Sequence, residues 1–177
     1  MSAKSILLVD DEVKVLYSLS RLLGDDEFAE VKIAQNGQEA LELIKNTPDL
    51  AVVVSDYHMP GMNGIELLEK ARENSPDITR ILLTGAADLE MALDAVNRGN
   101  IFRFLIKPCA SEIFLAAIKD GSRQNELIAA ERELLSKTLS GSIKVMVDIL
   151  AVLSPEIFAQ AGRLRTLARD LAVALHL

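Results

Sequence analysis

A single cysteine, Cys109, excludes a disulfide framework, because no second thiol exists to close one. Histidine is almost as scarce. A thiol nucleophile needs an imidazole beside it, and only His58 and His176 could supply one. Cys109 directly follows Lys107-Pro108 and reads as a small apolar filler. No apolar stretch approaches the roughly 18 residues that a membrane-spanning helix requires. The opening Met1-Ser2-Ala3-Lys4 leads straight into a strand pattern, without the charged segment and apolar core of a secretory signal. Both absences point to a cytoplasmic protein with no membrane partner. A basic excess is missing too. The net formal charge is −7, and residues 120–177 hold seven acidic and seven basic side chains, so the whole excess lies in residues 1–119. An acidic domain with a neutral tail is a poor nucleic-acid binder and suits a divalent cation.

What is present is a set of short apolar runs, each ending on a reactive residue. Ser5–Val9 runs into Asp10 and Asp11, Ala51–Ser55 into Asp56, Arg80–Leu83 into Thr84, and Phe102–Ile106 into Lys107. Each run is too short for a helix and fits a strand buried on both faces. Phe28–Ala34 adds a further, alternating strand. Between the strands lie helical patterns at Glu12–Leu23, Gln38–Lys45, Ile65–Asn74 and Ala87–Arg98. Strand and helix alternate at roughly 20-residue spacing, which means a parallel sheet with right-handed crossovers. The expected fold is α/β, a flavodoxin-like doubly wound sheet of five strands in the order 2-1-3-4-5.

The helical pattern that starts at Glu112 does not stop at the domain edge. It runs past Gly121, a candidate bend, to Leu139, Ile143, Met146, Leu150 and Leu153. That last spacing, 4-3-4-3, is a coiled-coil seam. Ser154-Pro155 restarts a helix, and Ile157, Ala161, Leu164, Ala168, Leu171 and Leu175 form a second stripe. The expected organisation is a domain over 1–120, a signalling helix over 121–153 and the start of a helical output region over 154–177. The chain ends on an apolar stripe, as expected of a piece of a longer protein.

If the runs are neighbouring parallel strands, their polar endings share one crevice, where open α/β sheets bind ligands. Asp10, Asp11 and Asp56 would repel one another strongly unless a cation joined them. Hard oxygen ligands suit Mg²⁺, which keeps several waters and takes one or two carboxylates plus a phosphate. Lys107 adds an ammonium and Thr84 a hydroxyl. A metal, an ammonium and a hydroxyl around one carboxylate describe a site for a transferring phosphoryl group, with the carboxylate as acceptor. Each residue also has a bland explanation. Asp11 is a good cap for the first helix, Asp56 could start a turn, Thr84 could merely end a strand, and Lys107-Pro108 could be a solvated exit. The shared position at one sheet edge is what argues against four coincidences. Phe102 and Phe104 flank Arg103 and read as one aromatic strand face, with core packing as the plain alternative.

Asp10-Asp11, Asp56 with Met59-Pro60-Gly61-Met62-Asn63-Gly64, Thr84-Gly85 and Lys107-Pro108 resemble the receiver domain of two-component response regulators, over about residues 4–120. The resemblance implies that Asp56 accepts a phosphoryl group from a phosphohistidine on a sensor histidine kinase or phosphotransfer protein. It implies that Asp11, Asp56 and the backbone carbonyl of His58 hold Mg²⁺, with Asp10 reaching it through water. Thr84 and Lys107 would bind phosphoryl oxygens, Phe104 and Thr84 would form the switch, and the Lys107-Pro108 bond would be cis. A homodimer through the C-terminal helix would relay the signal. Residues 134–145, Pro155 and the Arg163-Leu164 helix are similar to the join between receivers and HD-type phosphohydrolases, including enzymes that cleave cyclic di-GMP. On that alignment Gln160 falls where the family carries a metal-binding histidine, and the His-Asp pair is not among these 177 residues. The alternatives are therefore the regulatory part of such a phosphohydrolase, a receiver-like dimerisation module, or a DNA-binding regulator. The last would need a basic face and a compact helix-turn-helix, which the tail lacks.

Overall fold

Valine, isoleucine and leucine in runs without polar alternation build the centre of the sheet, because both faces of those strands are covered. The computed structural model describes residues 4–24, 30–85, 88 and 101–153. The central strands are β1 (Ser5–Val9), β3 (Leu50–Asp56) and β4 (Thr79–Thr84), almost wholly buried. The edges are β2 (Glu30–Ala34) and β5 (Arg103–Ile106), each partly exposed. The five strands are parallel in the order β2-β1-β3-β4-β5, as the alternation of patterns led us to expect.

Pleating sends alternate residues to opposite faces. Leu7, Val9, Val53 and Leu82 pack with helices α2 (Gly37–Asn46) and α3 (Gly64–Asn74). Ile6, Leu8, Val52, Val54, Ile81 and Leu83 pack with α1 (Val13–Leu23) and the start of α4 (Ser111–Leu153). Asn36 caps α2 by accepting from Glu39 N at 2.9 Å, and the Glu39 carboxylate accepts from Gln35 N at 2.8 Å in return. Asn63 caps α3, accepting from Glu66 N at 3.0 Å. The helix pattern at 87–98 and the restart after Ser154 lie outside the described residues.

Contacts divide the chain into two units, residues 1–129 and 130–177. In the first, α4 buries Phe114, Ala117, Ile118, Gly121 and Asn125. The helix continues unbroken through Gly121. A β-carbon there would lie 3.3 Å from Thr79 and 3.4 Å from Val52 and Ile81, so the glycine lets the helix approach the sheet. In the second unit, Leu134, Leu139, Ile143, Met146, Leu150 and Leu153 are exposed. Among the described residues, no helix is long and apolar enough to cross a membrane.

The turn from β3 into α3 is the tightest backbone fit near the sheet edge. A β-carbon on Gly64 would fall 2.1 Å from the Asp56 carbonyl oxygen, a backbone atom that cannot swing aside. Gly64→Ala is expected to destabilise the fold by about 3 kcal/mol or more. Urea unfolding measures this, and an unchanged midpoint would contradict so close an approach of Gly64 to Asp56.

Candidate functional site at the carboxyl edge of the sheet

Register brings the polar endings together. Val9 pairs with Ser55, so Asp10 and Asp56 stand side by side as the strands end. Asp56 pairs with Leu83, and Thr84 pairs with Ile106. Lys107 N donates to the Thr84 carbonyl at 2.8 Å, which extends that pairing by one residue. β1 has β2 on one side and β3 on the other, so the crevice opens where the strand order reverses.

One oxygen each from Asp10, Asp11 and Asp56 lie within 4.8 Å of one another. Asp10 and Asp56 are buried, at 1% and 7% exposure, while Asp11 faces solvent. Lys107 reaches into this cluster. Its Nζ lies 2.7 Å from Asp56 Oδ1 and 2.9 Å from Asp10 Oδ2. Burial pulls the ammonium's pKa down, but hydrogen bonds to Asp56 and Asp10, with their charges, push harder and raise it above the ordinary lysine value. The Thr84 side chain is fully buried, and its hydroxyl donates to the Gly85 carbonyl over a long 3.3 Å.

The adjacent aspartates have different surroundings. Asp10 Oδ1, not Asp11, accepts from the backbone at the helix entrance, from Glu12 N at 2.8 Å. Glu12 itself occupies the cap position and makes no side-chain cap bond. Asp11 was the sequence-based candidate for that cap. It follows the strand as an exposed bend residue, yet one of its carboxylate oxygens stays within 4.8 Å of one each from Asp10 and Asp56.

Asp56 is the last residue of β3 rather than the first of the loop. Beyond it, Tyr57 N donates to the Leu83 carbonyl at 2.8 Å and Gly64 N to the Tyr57 carbonyl at 3.0 Å. The His58 ring pairs with a carboxylate outside the cluster. Its Nε2 lies 2.8 Å from Asp88 Oδ2, and Tyr57 meets it edge-on at 4.7 Å between centroids. An open cavity of about 620 Å³ lies here, lined by Asp11, Tyr57, His58, Met59, Pro60, Asn63 and Asp88. Nothing in the sequence pattern pointed to Asp88, because its partner is 30 residues away on another loop.

On β5, Phe104 is half-buried against the core that holds α2 and α3. Phe102 departs from the expected aromatic face. It precedes the strand, is 37% exposed, and lies under the Arg103 guanidinium at 5.6 Å from its ring centre. The Lys107-Pro108 bond is cis, as the family resemblance implied. Cys109 is half-buried, and burial pushes its thiol pKa up, so the thiol is not activated.

The chain is similar to several known proteins. FixJ from Rhizobium meliloti, a transcriptional regulatory protein, is 34% identical over 136 residues, covering 76% of this chain and 63% of FixJ. A solved structure of adenylate cyclase from Rhodopirellula baltica is 44% identical with a TM-score of 0.73, covering 76% of this chain and 98% of that one. A signal receiver domain of an HD domain-containing protein from Pseudomonas fluorescens is 34% identical with a TM-score of 0.66, covering 75% and 94%. The chain spans only 23–32% of the length of four other curated relatives, all transcriptional regulatory proteins. The sheet order, the clustered aspartates and these likenesses coincide with a match of residues 6–119 to the response regulator receiver domain, and the chain belongs to that family.

Proposed function

We propose that this chain is a phosphoryl-accepting switch. Asp56 takes a phosphoryl group from a phosphohistidine of a sensor histidine kinase or phosphotransfer protein, and the new charge alters what the C-terminal helix presents. The observation that carries this reading is the placement of Asp56. It sits buried at a strand end, on the Lys107 ammonium, in a cluster with two further carboxylates.

In the transfer, the phosphorus–nitrogen bond of the phosphohistidine breaks as a bond forms between phosphorus and an Asp56 carboxylate oxygen. The electron pair returns to the imidazole, which takes up a proton. Lys107 and Thr84 donate to phosphoryl oxygens. Lys107 does so as an ammonium, because its partners hold its pKa up. The weak bond from Thr84 to Gly85 is easily exchanged for one to an anion. Asp11, Asp56 and the His58 carbonyl would hold Mg²⁺, with Asp10 reaching it through water. Three hard oxygens within 4.8 Å, one of them solvent-facing, fit an ion that retains water. When bound, Mg²⁺ neutralises charge on the phosphoryl oxygens.

Once Thr84 turns toward the phosphoryl group, Phe104 can turn inward from its half-buried position, and the population of surface conformations shifts. The seam at Leu139, Ile143, Met146, Leu150 and Leu153 is exposed, and a second copy is its proposed cover. The proposed setting is the cytoplasm. The relatives carry names as different as a transcriptional regulatory protein, an adenylate cyclase and the receiver of an HD domain-containing protein, so the proposed function is confined to that of the receiver.

Incubation with a small phosphodonor and Mg²⁺ is expected to label wild type and leave Asp56→Ala unlabelled, with chelation by EDTA abolishing the reaction. Equal labelling of both proteins would sink the proposal. Light scattering should report a dimer for wild type and a monomer for Leu150→Glu, and a monomeric wild type at high concentration rejects the second-copy reading. Lys107 also sets a pH dependence. Its folded pKa is raised, so its stabilisation is complete below the ordinary lysine value and is lost as pH climbs through the raised one. In EDTA, the urea-midpoint gap between wild type and Lys107→Met should hold through neutral pH and shrink above about 10.5. A gap that stays constant there assigns the effect to something other than this ion pair.

A further inference from the structure

At the opposite edge of the sheet, three buried side-chain oxygens have no hydrogen-bond partner among the described residues: Thr79 Oγ1, Ser122 Oγ and Asn125 Oδ1. Thr79 is 2% exposed and Asn125 is 4% exposed. Buried polar atoms left unpaired are costly, and native folds almost always satisfy them. These three belong to one locality. Gly121, next to Ser122, approaches the Thr79 methyl so closely that a β-carbon there would sit 3.3 Å away. Asn125 follows Ser122 by three residues, on the same helical face. Its Nδ2 donates to the Asp77 carbonyl at 2.8 Å, two residues before Thr79.

Ser122 gives the clearest sign that something belongs between them. Three other hydroxyls on helices here satisfy themselves locally. Ser18 donates to the Lys14 carbonyl at 2.8 Å, Thr138 to Leu134 at 2.8 Å and Ser142 to Thr138 at 3.0 Å, each four residues back. Ser122 does not make this bond, although one rotation of its side chain would reach for it. Its oxygen is buried all the same.

We propose that Thr79, Ser122 and Asn125 bind one internal water molecule, which ties α4 to the start of β4. The chemistry fits a neutral ligand with two protons and two lone pairs. The Asn125 oxygen can only accept, while each hydroxyl can donate or accept, and a buried water typically makes about three such bonds. Charge argues against a metal cation. The neighbouring loop carbonyls of Pro76 and Ile78 already receive the Arg80 guanidinium, at 3.3 and 2.7 Å, and that fixed positive charge disfavours a second one. The close helix approach at Gly121 argues against an organic ligand.

The water gives Asn125 a second anchor. Its amide nitrogen holds the loop before β4, and its oxygen, through the water, holds the strand itself. Both anchors sit in the last buried turn of α4 within the first unit.

A crystal structure of the whole chain at a resolution that orders internal waters tests this directly. The expected result is one water within hydrogen-bond distance of at least two of the three oxygens. A dry interface, with Ser122 turned back to the Ile118 carbonyl, or an ion with metal-length contacts, overturns it. Stability of Thr79→Val, Ser122→Ala and the double variant gives an independent reading, and both changes are conservative enough to preserve folding. Because both hydroxyls hold the same water, the double variant should lose less in urea midpoint than the sum of the singles. Strict additivity overturns the shared ligand.

Discussion

The ammonium of Lys107 lies 2.7 Å from one buried carboxylate and 2.9 Å from another, and the geometry of the sheet edge depends on that triangle. Asp10 and Asp56 come from adjacent strands at the same level, so pairing the strands necessarily crowds their charges. Two ionised carboxylates at that distance oppose the register that the apolar core demands. Lys107 arrives from a strand two places away from β3 and relieves the conflict with a single long side chain. It does so without filling the crevice, because Asp11 remains exposed and an open cavity lies alongside. The residual negative charge is what a hard cation requires, and the ammonium is what an incoming phosphoryl group requires. The electrostatic tension of the resting site and its proposed chemistry are the same fact.

Most of this arrangement was readable from chain order, for a physical reason. A strand buried on both faces must be uniformly apolar, so it stands out, and in a parallel sheet every strand ends at the same edge. The residue after each run is therefore located in space without any long-range information. Asp10, Asp56, Thr84 and Lys107 were placed that way. What escaped has equally physical causes. Asp10 and Asp11 are identical neighbours, and the sequence does not tell which one is buried and accepts from Glu12. Gly121 looks the same in a sequence whether it bends a helix or lets one approach a sheet, and here it does the second. The pairing of His58 with Asp88 joins two loops and leaves no periodic trace. Phe102 and Phe104 alternate like strand residues, but the strand begins at Arg103, whose guanidinium covers Phe102.

The C-terminal helix changes character along its length. Up to Asn125 it buries residues against the sheet, and small ones, Ala117 and Gly121, allow close contact. From Leu134 onward its large apolar residues are exposed. Helix propensity alone would not choose between these environments, since leucine and alanine serve both. The difference lies in which side chains a neighbouring surface can accept. Against the sheet, Ala117 and Gly121 let the helix come close while Phe114 and Ile118 fill the core. The exposed 4-3 seam beyond is the part proposed to meet another helix.

Precision at Asp56 comes from backbone as much as from charge. The segment Met59-Pro60-Gly61-Met62-Asn63-Gly64 reads as a chemical motif, yet most of its residues do no chemistry in the proposed transfer. Gly61 adopts a positive φ of 82°, which lets the chain reverse. Asn63 closes the first turn of α3. Gly64 packs directly on the Asp56 carbonyl, with its N–H bonded to Tyr57. Together they clamp the peptide units on the carboxyl side of Asp56, while Tyr57 N is held by β4. An acceptor that must meet a phosphorus atom in line tolerates little drift, and a side chain as short as aspartate transmits every backbone displacement to its oxygens. The motif is therefore a positional constraint written in glycine and asparagine. Its residue types follow from the space around Asp56 rather than from any contact with phosphate.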